Sequence, residues 1–126
     1  MNATVFILLA LFGIKHFIAD FLMQYDYMLR EKGIYGATGG VHHAIVHASF
    51  TFLILVFFCP NVNTIIALSF ADFVLHYHID YFKQQLNKGL TSADRQFWIW
   101  LGADQALHYL TYVGIISYVT LSQSNR

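Results

Sequence analysis

Residues 71–82 read ADFVLHYHIDYF, and within them Asp72, His76 and Asp80 recur at intervals of four. Side chains at i and i+4 stack on one face of an α-helix. As a helix, this segment carries two carboxylates and an imidazole in a single stripe, inside a run otherwise apolar enough for lipid. Such a stripe needs a polar partner on the facing elements, so the rest of the chain must supply one.

Composition sets the environment. The 126 residues are 57% hydrophobic and 11% charged, with a single proline, against roughly 25% charged residues in soluble domains. A soluble domain of this size has too much surface to cover with so few charges. The chain reads as one small integral membrane domain over residues 1–126, with no linker, low-complexity segment or tandem repeat. The expected fold is all-α, a polytopic four-transmembrane-helix bundle.

Four apolar stretches, at about 3–24, 41–59, 62–86 and 96–121, each approach the roughly 20 residues needed to cross about 30 Å of hydrocarbon. Turn chemistry separates them. REKGIYGATGG (30–40) is charged and glycine-rich, CPN (59–61) is a tight reversal, and NKGLTSADR (87–95) offers Gly89 with Thr91, Ser92 and Asp94 as capping residues. The first stretch lacks a basic leader and a small-residue cleavage site, and reads as a retained helix.

Arg30 and Lys32 fall in one long loop, and Lys83, Lys88 and Arg95 around the other. The CPNVN turn has no basic residue and the C-terminus only Arg126. The positive-inside rule then puts both long loops in the cytoplasm and both termini outside. Trp98 and Trp100, with Tyr25, Tyr27 and Tyr35, form an aromatic belt at the cytoplasmic interface. The lone Cys59 can form no internal disulfide and offers no soft-metal motif.

Each stretch repeats the opening oddity. KHFIADFLMQ (15–24) holds His16, Asp20 and Gln24; GGVHHAIVHASFT (39–51) holds His43, His47 and Thr51; ADQALHYLTY (103–112) holds Asp104, His108 and Tyr112. At 1.5 Å per residue, the pairs His16/Asp20, His43/His47, His76/Asp80 and Asp104/His108 all lie roughly 3–18 Å from the cytoplasmic ends. They can therefore meet at one site.

An ionised side chain at the centre of a membrane helix costs on the order of 2.5–3.5 kcal/mol, and Asp20, Asp72, Asp80 and Asp104 have few cations nearby in sequence. Lys15 and Lys83 are the basic residues within the spans, and Lys83 can snorkel. Two divalent ions would balance four carboxylates, with neutral imidazoles completing the shell. Mixed imidazole and carboxylate donors suit zinc first, and also iron or manganese, and the absence of cysteine pairs excludes a sulfur-rich zinc site. Bundles build dinuclear centres in this way. The expected metal ligands are His16, Asp20, His43, His47, His76, Asp80, Asp104 and His108.

A two-metal centre activates water and clamps the oxygens of a phosphoryl or ester substrate. The expected activity is hydrolysis of a phospholipid or other membrane-associated phosphoester, with Asp72 or Asp104 as the catalytic carboxylate that manages protons. Asp72 has a second reading, as a residue orienting a ligand imidazole or packing the bundle. His42 and His78 lie off the stripes and default to structural or interfacial roles. Gln24 and Gln105 cap or bridge helices or meet substrate, and Gly39 and Gly40 either turn the chain or let the first loop approach the site.

Two other classes fit the same stripes. Rows of intramembrane His and Asp mark divalent-metal and proton transporters, where so thin a bundle suggests a homo-oligomer; the apolar outer segments TVFILLALF, FLILVFF and IIALSF favour a one-sided site instead. A metal-stapled scaffold binding another membrane protein is the third. Nucleic-acid binding, a P-loop and a serine nucleophile find no motif.

Together, KHFIADFLMQ, GGVHHAIVHA, the D-x3-H-x3-D of residues 72–80 and DQALHYL resemble the small phage and bacterial membrane proteins grouped as domain of unknown function 3307, over nearly the whole chain. The chain is also distantly similar to the membrane-bound metal-dependent hydrolases of bacterial inner membranes. That second likeness implies zinc held by the same eight His and Asp positions, with no catalytic base evident outside the ligand set.

Overall fold

The computed structural model describes residues 3–124, so Arg126, used in the charge count above, lies outside them. The described chain is all helical, without strands. Helix α1 (Ala3–Phe17) runs into a π-helical turn (Ile18–Leu22), followed by a short α2 (Asp26–Glu31), then α3 (Thr38–Phe58), α4 (Val62–Leu86) and α5 (Arg95–Ser124). Helices α3 and α4 form the most extensive pairing, and α1 and α5 close the bundle.

Three segments, Ala3–Leu22, Thr38–Phe58 and Val62–Leu86, are long and apolar enough to cross a membrane. Helix α5, expected as a fourth span, is longer still, but Asp104, Gln105 and His108 dilute its apolar run. Length and apolarity alone therefore single out three. The radial pattern is inverted relative to a soluble bundle. Phe57 is 82% exposed and Phe21 71%, whereas His47 and Thr51 are 0% exposed. Large apolar side chains facing outward around a polar interior suit a lipid solvent, in which buried polar groups pair with one another across helices.

Two layers fill the interior. At one end Leu8, Phe12, Leu55, Tyr112, Ile116 and Val119 pack into an apolar core. At the other, next to the long loops, the interior is polar. The α3–α4 reversal lies at the apolar end, where the Asn61 side chain accepts from the backbone N–H groups of Asn63 (2.9 Å) and Thr64 (3.2 Å). That capping satisfies two of the donors a helix start leaves unpaired. Gln123 Nε2 donates to the Phe58 carbonyl at the same end.

Segment 25–37, expected to be a plain loop, folds back onto the bundle. Glu31 Oε2 accepts from Gly39 N (2.6 Å) and Thr38 Oγ1 (3.1 Å), tying α2 to the first turn of α3. Gly39 permits this contact. A Cβ there would lie 2.7 Å from the Tyr27 carbonyl oxygen and 2.8 Å from Glu31 side-chain atoms. Gly36, at φ +82°, takes a left-handed conformation suited to glycine, and its N–H donates to the Tyr77 hydroxyl at 2.7 Å. The fold-back carries Lys32 inward until it is 5% exposed.

Candidate metal centre

The four stripes converge. Asp20 sits in the π-helical turn, where Met23 N reaches back to Ile18 O (2.9 Å) in place of the α-helical register. Such turns concentrate at functional positions. His16 Nε2 lies 3.0 Å from Asp20 Oδ2, and His43 Nε2 and His47 Nε2 lie 3.1 and 2.9 Å from Asp20 Oδ1. Around Asp80, His43 Nε2 and His76 Nε2 stand 3.3 and 3.5 Å from Oδ2, and His108 Nε2 stands 3.3 Å from Oδ1. His76 is sandwiched between His47 and His108, with ring centroids 3.6 and 4.1 Å away.

Among the described residues, two sets of donor atoms are compact enough for a metal ion: Asp20 with His43, His47 and His76, and His76 with Asp80 and His108. These sets contain six of the eight expected ligands and share His76. The other two stand at the margin. His16 is engaged at both ring nitrogens, by the Tyr112 hydroxyl at 2.8 Å and Gln105 Oε1 at 3.0 Å. Asp104 Oδ1 lies 3.4 Å from His108 Nε2, while its Oδ2 accepts from Gln105 Nε2 at 2.9 Å.

The spacing suits coordination. With metal–nitrogen and metal–oxygen distances near 2.0–2.2 Å, two ligand atoms on one ion are about 3.0 Å apart at right angles and about 3.4 Å apart at the tetrahedral angle. The nitrogen–oxygen separations here run from 2.9 to 3.5 Å. Several of these contacts have hydrogen-bond length without hydrogen-bond direction. Both ring nitrogens of His43 and of His76, together with Asp104 Oδ1, are buried and make no hydrogen bond among the described residues. Leaving a buried polar atom unpaired costs about 1–3 kcal/mol. A bound cation would satisfy several of these atoms at once, so the donor set fits a metal.

Asp72 does not join the cluster. Its Oδ2 accepts from Lys15 Nζ (2.7 Å) and Thr51 Oγ1 (2.6 Å), and Lys15 also donates to the His47 carbonyl at 3.1 Å and sits 4.6 Å from the centre of the Tyr112 ring. This layer separates the imidazoles from the apolar core. Asp72 orients no ligand imidazole and touches no cavity at the cluster; its partner is a cation on α1.

The second cation is Lys32, whose Nζ lies 2.8 Å from Asp80 Oδ2. Sequence placed it in a loop as a topology signal; its role depends on the fold-back of α2. These two lysines change the charge balance. Of the four stripe carboxylates, Asp72 and Asp80 already have ammonium partners. The carboxylates of Asp20 and Asp104 have no ammonium partner among the described residues.

One side of the cluster opens onto a cavity of about 300 Å³, whose wall includes Asp20, Asp80, Asp104, Gln24, Gln105, Lys32 and Lys83. It lies at the long-loop end. His42 and His78 are elsewhere, bonded to the Tyr27 hydroxyl (3.2 Å) and the Tyr35 hydroxyl (3.1 Å).

No curated protein and no solved structure matches this chain, so the likeness to metal-dependent hydrolases is not shown by these comparisons. A family model described as a protein of unknown function, DUF3307, matches residues 7–126. With the motifs of all four long helices inside that match, the chain belongs to the DUF3307 family.

Proposed function

We propose that the chain is a metal-dependent membrane hydrolase acting on a phospholipid or other membrane-associated phosphoester. In this reading α5 is the fourth span, the lysine-bearing ends face the cytoplasm of a bacterial inner membrane, and both termini lie outside. The observation that carries the reading is the open side of the donor cluster, where the carboxylates of Asp20, Asp80 and Asp104 meet a polar cavity edged by Lys83.

Asp20, His43, His47 and His76 would hold one divalent ion, with Asp80 and His108 beside it. Nitrogen and oxygen donors in this ratio suit zinc, with iron or manganese also compatible. When bound, the ion supplies Lewis acidity toward a phosphoryl oxygen and lowers the pKa of water. Asp104 lines the cavity beside the donor cluster while Asp72 is absent from its wall, which makes Asp104 the better-placed general base. Asp72, tied to Lys15 and Thr51, is released from the catalytic role. Lys83, without an ion-pair partner among the described residues, attracts the anionic headgroup.

The half of the bundle beyond Lys15 supports a one-sided site over a transport path. Leu8, Phe12, Leu55, Tyr112 and Val119 are each at most 1% exposed there. Metal content of detergent-purified protein, measured by mass spectrometry beside a His43→Ala, His47→Ala double variant, is the first test. About one divalent ion per chain, lost in the variant, is expected. Metal-dependent release of phosphate from lipid phosphoesters should then vanish in Asp104→Asn while the ion stays. Protein that takes up no zinc, manganese or iron would end the reading.

A further inference from the structure

Apolar grooves score the outer surface of the bundle, and one of them joins the polar cavity. A groove of about 320 Å³ between α4 and α5 shares Lys83 and Asp104 with the cavity beside the donor cluster. Farther along the same helix pair, it shares Leu75, Ile79 and Leu107 with a second groove of about 540 Å³ that reaches Gly114 and Tyr118. The two form one apolar furrow. From Lys83 to Leu68 on α4 it runs about 22 Å at 1.5 Å per residue, longer than the roughly 15 Å of one leaflet's hydrocarbon. By contrast, the groove between α3 and α4, at Ile45, Phe52 and Phe70, shares no residue with the cavity.

The furrow has a charged end and an apolar body. At its mouth Lys83 has no ion-pair partner among the described residues, while the walls beyond are mostly leucine and isoleucine, with His78, Trp100, Thr111 and Tyr118 among them. A cation where polar cavity and apolar groove meet matches an anionic headgroup with its chain attached. We propose that the α4–α5 furrow is a lateral binding site for one acyl chain of a membrane phospholipid, which enters from the bilayer and places its phosphate at Lys83 and the donor cluster. The proposal rests on the phosphoester reading for what happens at the phosphate, and on its own geometry for where the chain lies. It makes the substrate a bilayer lipid rather than a water-soluble phosphoester.

Gly114 provides a selective test. A Cβ built there meets nothing within 4 Å, so tryptophan at 114 fills the far part of the furrow without displacing the core. It lies about 15 Å along α5 from Asp104. The probe is phosphatidic acid with a diazirine at the end of one acyl chain, presented to zinc-loaded protein in phosphatidylcholine vesicles and mapped by peptide mass spectrometry. Labelling is expected on α4 and α5 along the furrow. Gly114→Trp, and separately Leu110→Trp, should cut labelling by a sixteen-carbon chain about tenfold and leave a six-carbon chain unaffected. Lys83→Gln should weaken both, and Leu53→Trp in the α3–α4 groove neither.

Labelling spread evenly over the lipid-facing surface, or unchanged by both tryptophan variants, would overturn the proposal. Furrow labelling without phosphate release supports the furrow while the hydrolase reading fails. Phosphate release from long-chain lipid that both tryptophan variants leave intact overturns the furrow while the hydrolase reading stands.

Discussion

Lys15→Met removes the cation from the layer beneath the imidazoles and leaves Asp72 buried without its partner. The two side chains are 2% and 1% exposed, with Nζ 2.7 Å from Oδ2. At that distance and an effective dielectric near 20, the gross attraction is about 6 kcal/mol. Desolvation offsets much of it, and breaking a buried pair from one side typically costs about 3–5 kcal/mol. Thr51 still donates to Asp72, which places the expected loss near 3 kcal/mol. Removing both partners is a different perturbation. In Lys15→Met, Asp72→Leu no charge is stranded, and a buried pair exchanged for apolar side chains is often close to neutral. Reversible unfolding in mixed micelles across the two single variants and the double should show a coupling of about 2 kcal/mol or more. Metal content should match the unmodified protein in the double variant, because neither residue belongs to the donor sets. Additive losses would refute the ion pair, and metal lost in the double variant would show that the Lys15–Asp72 layer takes part in holding the ion.

Four further outcomes follow from the same geometry. Asp80→Asn should abolish turnover while the protein still inserts, read as phosphate release beside the membrane-fraction yield; full activity would count against this site. Gly39→Val should lift α2 from α3, since its Cβ alone comes within 2.8 Å of the Tyr27 carbonyl and Glu31. It should cost about 1–3 kcal/mol as an overpacked contact and raise hydrogen exchange in residues 26–37. Lys32→Met removes a positive charge 2.8 Å from Asp80, so zinc affinity, measured by competition with a chelator, should rise roughly tenfold while the metal-free protein loses stability. In the exposed loop before α5, Thr91 N–H and its hydroxyl donate to Asp94 Oδ2 at 2.7 and 3.0 Å and hold that carboxyl below its ordinary range. That turn is therefore fully supported above the ordinary carboxylate pKa and loses support as pH falls through the lowered one. A carboxyl chemical-shift titration of Asp94 compared with Thr91→Ala checks it.

Much of the site was legible before any fold. Intervals of four residues place His43 over His47 and His76 over Asp80 on whichever helix carries them, because the α-helical repeat is local. The cost of an ion in hydrocarbon then forces such stripes inward, so their convergence needs only the expectation of a bundle. Six of the eight residues read as ligands fall into the two compact donor sets. His16 and Asp104 lie beside them, His16 hydrogen-bonded to Tyr112 and Gln105 and Asp104 to Gln105.

What sequence determined by itself was the helical class, helices long and apolar enough to cross a membrane, and the polar stripes, all set by composition or by contacts within one helix. Tertiary structure alone decided the partners. Asp72 shares a stripe with His76 and Asp80, yet it answers to Lys15 across 57 positions of chain, because the rotation of α1 against α4 selects the nearer charge. Lys32 looks like any loop lysine until Gly39 lets α2 close onto α3 and carries the ammonium group to Asp80. Charge balance at the centre, and with it the number of ions it accommodates, is a sum over groups from four helices and a folded loop. No spacing within one segment encodes that sum.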